Sequence, residues 1–282
     1  YSKLWLNEFQ KIDLQEFPSE KKLDYLLDIP FEELKIEDIG FQKTNLAFEI
    51  PEADLHIIKT YEETRNFPAV KGTTQLGVHL RFGTISVRKL AKIAKENNLT
   101  FLKELIWREF FMQILYHFPK VVNHSFKAKY DAIPWENNPE FLEKWKAGKT
   151  GFPIVDAGMR ELNATGFMHN RVRMITASFL IKHLLTDWRI GEAYFAEKLM
   201  DYDLSANNGN WQWCASSGCD AAPYFRIFNP DEQQKKFDPD FKYIKKWIPE
   251  FGTKYYPKPI VEHKKAREKV LKVYKQTLDN LD

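Results

Sequence analysis

Cysteine and long apolar runs are both scarce in this sequence. Its two cysteines, Cys214 and Cys219, are too few and too close together for a disulfide framework, so we expect reduced thiols in a cytoplasmic setting. The longest apolar stretch, residues 175–185, is interrupted by Lys182 and His183, whereas a bilayer requires roughly 20 apolar residues. No signal peptide is apparent. We therefore predict a cytoplasmic globular protein without a membrane-spanning segment.

The sequence also lacks an excess of charge of either sign, clusters of metal ligands and flexible linkers. The 42 Lys and Arg residues nearly balance 39 Asp and Glu residues, and a net charge of +3 does not by itself indicate a polyanionic partner. Cys and His do not cluster at zinc spacing, so we expect no metal. No Gly/Ser-rich or Pro-rich linker divides the 282 residues, a length that fits one large domain or two small ones. The sequence starts with Tyr1 rather than Met, and we expect a truncated or processed product.

Aromatic residues and helical spacing are what the sequence has in excess. It contains 8 Trp, 12 Tyr and 22 Phe residues. Apolar residues recur every three or four positions over 102–115 and 172–180, the spacing of amphipathic helices. Further helices are predicted over 138–147, from Gly191 to about Met200, and as a basic amphipathic helix over 261–281. Because alternating strand patterns are absent, we predict an all-α fold in which 206–230, rich in Asn, Gly, Ser and Trp, forms an ordered loop.

A turn over residues 72–77, Gly-Thr-Thr-Gln-Leu-Gly, precedes an apolar helix start. Hydroxyls and free backbone N–H groups at such a turn can hold a phosphate. Taken alone, the turn is also explained by a Thr N-cap followed by a turn glycine. Tyr61 and Arg65, four residues apart on a preceding helix, either give a ring and a guanidinium to the same anion or form a surface pair.

A mixed helix face over residues 104–111 is a second candidate. One side of this predicted helix carries a carboxylate, a cation and two flat rings: Glu104, Trp107, Arg108 and Phe111. An indole beside an arginine can stack an unpaired base next to a phosphate, and the carboxylate can accept hydrogen bonds from a base edge. A core aromatic flanked by an intrahelical ion pair explains the same residues.

The start of a long predicted helix is a third candidate. Asn170, Arg173 and Met174 face together there, with Arg171 on another side. Two arginines near a helix start oppose the helix macrodipole, so acids or anions are expected nearby. His169 alone fits a structural role better than a catalytic one.

A dense polar run over residues 201–213 ends beside two tryptophans. Asp201 and Asp203, at its start, can offset the charge of the arginines at the third candidate. Asx-turns account for part of the run, but they do not account for Trp211 and Trp213. Such a segment suits a ligand ring system that takes hydrogen bonds along one edge and an aromatic wall along another.

Four motifs of this sequence closely resemble one family. They are Trp-Arg-Glu-Phe at 107–110, Gly-Phe-Met-His-Asn-Arg at 166–171, Ala-Asn-Asn-Gly-Asn-Trp-Gln-Trp at 206–213 and Tyr-Phe-Arg-Ile-Phe-Asn-Pro at 224–230. The family is the helical FAD-binding domain of class I cyclobutane pyrimidine dimer DNA photolyases, within the photolyase and cryptochrome superfamily. The resemblance runs from about Tyr61 onwards. It implies a helical or linker part over 1–60, a FAD-binding repair domain over 61–282, and a missing N-terminal α/β antenna domain, so no antenna chromophore is expected in this chain.

The resemblance implies FAD as the cofactor, active in its reduced form. It assigns six residues to the flavin phosphates and ribose: Tyr61, Thr73, Thr74, Gln75, Leu76 and Gly77. It places Asp201 and Asp203 beside the isoalloxazine ring and pairs Arg173 with Asp201. It also turns Asn207 towards flavin N5. Because an amide both donates and accepts hydrogen bonds, we expect Asn207 to tolerate N5 in either protonation state and to favour the reduced flavin.

Three tryptophans match the family's electron-transfer triad. The resemblance implies that Trp211 is nearest the flavin, that Trp188 follows and that Trp135 is at the surface. Indole is an oxidisable side chain, and short hops outrun one long jump, so such a file can reduce a photoexcited flavin. Buried packing is the alternative for each tryptophan taken singly.

The resemblance also implies a pocket for a flipped-out pyrimidine dimer. Four residues match that pocket: Glu104, Trp107, Asn170 and Met174. Trp107 stacks on the fused bases and Glu104 hydrogen-bonds them in this interpretation. Residues expected to hold DNA outside the pocket are Arg65, Arg108, Arg171 and Gln233, with Arg226 and Lys235 as further rim candidates. A related subfamily that repairs (6-4) photoproducts has histidines where this sequence has Asn170 and Met174, which favours the cyclobutane lesion.

Three positions depart from the family pattern. Phe167 and Phe101 stand where many members have Trp, which keeps an aromatic wall but removes an indole N–H donor. Gly77 stands where some members have Ser, which leaves a backbone contact to the phosphate. The two phenylalanines predict altered packing of the substrate.

The resemblance implies light-driven repair of cyclobutane pyrimidine dimers by a monomer that binds damaged DNA. The alternative is a cryptochrome-type blue-light photoreceptor, which signals through partners without repair. Asn207 favours repair, because plant cryptochromes carry Asp and animal ones often Cys at this position. A cofactor-free helical module is a third possibility, since losing a first domain can expose apolar surface.

Overall fold

The computed structural model describes residues 1–15, 17–27, 29–30, 33–44 and 52–280. Within these ranges it has no β-strand, and the prediction of an all-α fold is confirmed. The α-helices are α1 (Ser2–Lys11), α2 (Leu55–Thr64), α3 (Gly77–Phe82), α4 (Val87–Asn97), α5 (Leu99–His117), α6 (Pro139–Lys146), α7 (Pro153–Thr165), α8 (Asn170–Lys182), α9 (Trp188–Lys198), α10 (Leu204–Ala215), α11 (Pro230–Phe237), α12 (Lys242–Trp247) and α13 (His263–Asp279). Short 3-10 turns lie at Ser19–Tyr25, Ile36–Ile39, Pro119–Val122 and Ala128–Ala132.

The larger core surrounds α8. Val172, Leu180 and Ile181 of this helix are fully buried, and α7, α9 and α10 pack around it. From Ile175 to Lys182 every residue of α8 is buried, so this helix lies inside the fold. Helix α7 approaches α8 closely, because a Cβ atom on Gly158 would lie 2.3 Å from Val172 Cγ1. This core fixes the first turn of α8, where the charged residues lie.

A second core joins α1, α2, α4 and α5. Phe9, Ile58 and Leu90 are buried in it, together with the N-terminal half of α5. The C-terminal half of α5 packs against α10, where a Cβ atom on Gly209 would lie 2.1 Å from Phe111 Cδ1. Helix α5 therefore connects the two cores. The predicted division at residue 60 stays a prediction, and residues 45–51 of that N-terminal part lie outside the described residues.

Most of the predicted helices are confirmed, and two predictions are wrong. Residues 206–230 were expected to form a loop, but α10 covers Leu204–Ala215 and only the remainder lacks helix. Helix α9 begins at Trp188 rather than Gly191, because the Asp187 carboxylate accepts a hydrogen bond from Arg189 N and caps the helix there. The helices over 102–115, 138–147, 172–180 and 261–281 lie within three residues of their predicted ranges, apart from residue 281, which is not described.

The described helices were compared with the length and hydrophobicity that a membrane-spanning helix needs. In the portion of the chain that the structure describes, none of the helices is both long and apolar enough to span a bilayer.

Candidate active site

Two adjoining recesses lie beside the start of α8, one between the two cores and one within the larger core. The larger, of about 310 Å³, is lined by α2, the 73–77 turn, α3, α5 and the start of α8. The smaller, of about 90 Å³, is lined by α8, α9 and α10. Both share the same five residues in their walls: Asn170, Arg173, Asp201, Asp203 and Ala206. A polar seam therefore joins the recesses, as expected for a site that binds one elongated ligand.

The larger recess contains most of the residues predicted to bind cofactor. Its walls include Tyr61, Thr73, Thr74, Gln75, Leu76, Gly77, Arg173, Asp201 and Asp203. Helix α3 begins at Gly77 after Leu76, which makes no side-chain cap bond, so the alternative of a Thr N-cap is wrong. A Cβ atom on Gly77 would lie 2.9 Å from Asp201 Oδ2. The small residue at this position thus lets the turn approach the Asp201 carboxylate.

Asp201 has one occupied and one free carboxylate oxygen. Arg173 Nη2 donates to Asp201 Oδ2 at 2.9 Å, and Arg173 Nε donates to Met168 O at 2.6 Å. The other oxygen, Asp201 Oδ1, is buried and accepts no hydrogen bond from the described residues. A buried carboxylate oxygen without a donor is costly. Asp201 is therefore suited to accept a hydrogen bond from an N–H or O–H group of a ligand in the recess.

Asp203 caps α10 beside Asp201. Its Oδ1 accepts a hydrogen bond from Ala206 N at 3.1 Å and one from the Ser205 hydroxyl. Its Oδ2 lies 3.9 Å from Arg81 Nε. The capping bonds fix the first turn of α10, and this turn carries Asn207 into the smaller recess.

Asn207 is held by Glu192, a residue that the sequence interpretation missed. Asn207 Nδ2 donates to Glu192 Oε1 at 2.9 Å and to Glu192 O at 3.1 Å. Burial raises the pKa of the Glu192 carboxyl above its ordinary value. Both amide hydrogens are used in these bonds, so Asn207 offers only its Oδ1 to a ligand. The expectation that this amide both donates and accepts towards a ligand is corrected.

The tryptophans occupy three different environments. Trp211 is buried and lines the smaller recess, whereas Trp188 is buried at the first position of α9. Trp135, expected at the surface, is half-buried and lies 6.2 Å, centroid to centroid, from the Tyr274 ring. Trp145, which the sequence interpretation left out, is fully buried with its ring 6.3 Å from that of Trp211.

The predicted mixed face of α5 is split by the fold. Glu104 and Arg108 line the larger recess, and Arg108 Nη2 donates to Leu80 O at 3.1 Å. Phe111 is buried, and Trp107 is 40% exposed on the outside. The four residues lie within about 100° of one another around the helix, but the fold covers them differently. Phe111 packs against Gly209 of α10, whereas Trp107 stays partly exposed with its ring 6.1 Å from that of Phe111. Arg108 lies on the side of the 73–77 turn and not beside Trp107.

A cluster of arginines forms the rim. Arg65 Nη1 makes an ion pair with Glu104 Oε1. Arg171 Nη2 donates to Asn66 Oδ1 at 2.6 Å, and its guanidinium lies 4.4 Å from the centroid of the Phe237 ring. Burial lowers the pKa of Arg171, and the nearby charges of Arg65 and Arg226 lower it further. This rim thus concentrates positive charge although the net charge of the chain is small.

Three more residues of the predicted site, Tyr61, Gln233 and Met174, have different surroundings. Burial raises the pKa of Tyr61 to about 12, and the Glu104 carboxylate adds to the effect, so its hydroxyl stays protonated. Gln233 is half-buried on α11 and lines neither recess. Met174 lines the smaller recess, and its Sδ accepts a hydrogen bond from Arg171 Nη1 at 3.5 Å.

Comparison with known proteins decides the family. The model of the FAD binding domain of DNA photolyase matches residues 101–254, more than half of the chain. This chain belongs to that family. The deoxyribodipyrimidine photo-lyase of Escherichia coli (strain K12) is 48% identical to this photolyase domain over 243 residues, which cover 76% of the chain and 52% of the relative. The chain thus spans about half the length of the relatives that it matches.

Solved structures agree with this assignment. The archaeal photolyase from Sulfolobus tokodaii with two FAD molecules has a TM-score of 0.74 and 44% identity, covering 79% of this chain and 55% of that one. The cryptochrome of Synechocystis sp. PCC6803 has a TM-score of 0.71 and 31% identity, covering 77% of this chain and 52% of that one. The chain therefore shares its helical architecture with a photolyase and with a cryptochrome.

The recesses fit the cofactor of this family, FAD. The acceptors Asp201 Oδ1 and Asn207 Oδ1 are suited to a flavin ring, which carries N–H groups along its edge. The hydroxyls of Thr73 and Thr74, in the wall of the larger recess, suit the phosphates. A buried acceptor without a donor, next to a hydroxyl-bearing turn, fits the ring edge and the phosphates of a flavin dinucleotide.

Proposed function

We propose that this photolyase domain binds FAD across the two recesses and repairs cyclobutane pyrimidine dimers in DNA with light. The observation that carries the proposal is the polar seam between the recesses, with a buried acceptor on Asp201 and an oriented acceptor on Asn207, in a chain of the photolyase family. Reduced FAD, when bound, supplies the electron that light transfers to the dimer to open its cyclobutane ring and that returns afterwards.

Each wall has its own task in this proposal. The 73–77 turn and Tyr61 bind the phosphates and ribose, and the Arg173–Asp201 pair with Asp203 and Asn207 binds the ring edge. The apolar side of the smaller recess, which includes Trp211, excludes water from the ring. Water exclusion strengthens each of these polar contacts, because the local dielectric constant falls.

Three indoles provide the reducing path in this proposal. Trp211, Trp188 and Trp135 are the proposed file from the smaller recess outwards. Trp145, in ring contact with Trp211, is a second oxidisable neighbour that is shielded from water.

The rim binds the damaged strand. Photolyases act on extruded nucleotides, because the reacting bases cannot be reached inside the duplex. Arg65, Arg171 and Gln233 hold the phosphates in our proposal, and Trp107 stacks on the extruded bases beside Glu104. Asn170 lines both recesses and Met174 the smaller one, and these two side chains favour the cyclobutane lesion over the (6-4) lesion. The two cysteines, both free, suit a reducing cytoplasm.

A flavin photoreceptor is the second candidate, favoured by the likeness to the Synechocystis cryptochrome. Purified protein with bound FAD, illuminated with an oligonucleotide that contains one thymine dimer, separates the two. Restored thymine absorbance at 260 nm in light and not in the dark supports repair. Flavin that is bound and photoreduced without repair supports the photoreceptor. A preparation that does not take up FAD contradicts both.

A further inference from the structure

Arg65 and Glu104 form a contact that joins the rim to the larger recess. Arg65 ends α2 and Glu104 lies on α5, 39 residues further along the chain, yet Arg65 Nη1 and Glu104 Oε1 make an ion pair. Their side chains are 26% and 35% exposed. Glu104 is also a wall residue of the larger recess. The two charges are therefore accessible to a ligand, but each is occupied by the other.

The surroundings of this pair favour an anion. Arg171 is held by neutral groups, Asn66 Oδ1 and Met174 Sδ. Its Nε is buried and donates to no acceptor in the described ranges. Burial lowers the pKa of Arg171, and the positive charges of Arg65 and Arg226 lower it further. Guanidinium groups gathered in this way match a phosphate, which accepts several N–H bonds at once.

We propose that the Arg65–Glu104 pair is an exchange pair that makes damaged-base recognition and phosphate binding depend on each other. The inference rests on the proposed function, in which Arg65 binds a DNA phosphate and Glu104 accepts hydrogen bonds from extruded bases. A ligand that takes over Arg65 Nη1 or Glu104 Oε1 must first separate these two atoms. DNA that contains a dimer opens the ion pair and then supplies a phosphate for Arg65 and base hydrogen-bond donors for Glu104. Intact DNA offers only the phosphate and leaves Glu104 without its partner.

The exchange pair therefore adds selectivity by penalising incomplete ligands. A ligand that binds only one of the two residues must still open the ion pair. Its affinity is therefore reduced by the equilibrium constant for closing the pair in the free protein. For a partly exposed ion pair this factor is about two- to fivefold. A ligand that binds both residues has its affinity reduced by this factor only once, but it gains two contacts. Arg65 and Glu104 thus determine specificity together.

The variant Glu104→Gln tests one side of the pair. It replaces the ion pair with at most a neutral hydrogen bond, so Arg65 is held less strongly. The protein with bound FAD should then bind an oligonucleotide with two abasic sites at the dimer position about two- to fivefold more tightly. Its affinity for the dimer-containing oligonucleotide should fall. Glu109→Gln is the matched control, because Glu109 lies on the same helix, is exposed and accepts a hydrogen bond from Gln113. Equal tightening in both variants would overturn the inference, since a lost negative charge would then suffice.

The variant Arg65→Gln tests the other side. It frees Glu104, so an isolated thymine-dimer dinucleotide without flanking phosphates should compete about two- to fivefold better for the protein, although a cation has been removed. Unchanged or weaker competition would overturn the inference. Wild-type protein that does not prefer the dimer oligonucleotide over intact DNA would instead contradict the proposed function. The flavin absorption and far-ultraviolet circular dichroism of each variant report that the fold is retained.

Discussion

The contact between Glu192 and Asn207 predicts how the protein tunes its flavin. The Asn207 amide donates two hydrogen bonds, one to the Glu192 carboxylate at 2.9 Å and one to its backbone carbonyl at 3.1 Å. Rotating the amide by 180° would set oxygen against oxygen at both places. Hydrogen bonds to charged groups contribute about 1.5–3 kcal/mol and neutral ones about 0.5–1.5 kcal/mol, so the rotated amide is disfavoured by at least about 2 kcal/mol.

The substitution Glu192→Gln should release this orientation. A glutamine can donate to a rotated Asn207 as easily as it accepts from an unrotated one, so only the backbone carbonyl still favours one orientation. With its Oδ1 fixed towards the ring, Asn207 favours a reduced flavin, which carries a hydrogen on N5, over an oxidised flavin, which does not. Losing about 1–2 kcal/mol of this preference should lower the two-electron midpoint potential of bound FAD by about 20–40 mV.

Spectroelectrochemical titration of bound FAD measures this shift. Loss of a negative charge alone acts in the opposite direction, since it makes an electron-rich flavin easier to form and raises the potential. Glu197→Gln, at an exposed position of the same helix, is the control for charge at a distance. A potential that stays constant or rises in Glu192→Gln would refute the argument that Glu192 orients Asn207 for the flavin.

Three further substitutions test the rim, the core and the packing of α10. Trp107→Ala should reduce the preference for dimer-containing over intact DNA by about fivefold or more in competition binding, because base stacking on an aromatic ring contributes about 1–3 kcal/mol per base. Burial lowers the pKa of Lys182 from 10.5 to about 7. Between pH 7 and pH 10.5 the unfolded chain therefore binds a proton at Lys182 that the native chain lacks, so the free energy of unfolding rises with pH over this range. Lys182→Met should flatten this rise in urea titrations. Gly209→Ala would place a Cβ atom 2.1 Å from the Phe111 ring and should cost about 1–3 kcal/mol in thermal unfolding.

Matched variants give these tests their controls. Tyr116→Ala removes an exposed ring from the same helix as Trp107, and an equal loss of selectivity there would remove Trp107 from the pocket. Gly218→Ala meets its nearest atom at 3.3 Å, so it should be much milder than Gly209→Ala. A pH profile that Lys182→Met leaves unchanged would show that this amine does not titrate in the core.

The local parts of the architecture were predictable, and the tertiary parts were not. Apolar spacing predicted α5, α8 and α13, because one helix face must be buried in each. Helix α10 was missed because Asn and Gly favour turns. In the fold, Asn208 Nδ2 donates to Val121 O and Gly209 accommodates the Phe111 ring. These contacts override local propensity, and the sequence around α10 does not reveal them.

The same distinction holds for the site. Within the 73–77 turn, and within the 201–207 run, the site residues are neighbours in sequence, so each segment was predicted as a group. In the fold the two segments line the recesses. The Asn207–Glu192 and Arg65–Glu104 contacts join residues 15 and 39 positions apart. Residue types alone do not tell which distant pair meets, because many carboxylates and cations are available. The sequence therefore predicted the components of the site but not how they constrain one another.

The position of the charged residues follows from the burial of α8. The middle of this helix is surrounded by apolar side chains, and an unpaired charge there would be strongly unfavourable. Arg171 and Arg173 consequently lie in its first turn, where their charges oppose the helix dipole. Asp201, which precedes α10, compensates Arg173, whereas Arg171 is held by neutral groups. One arginine is thus neutralised inside the recess and the other retains its charge at the rim, where the proposed nucleic acid substrate arrives.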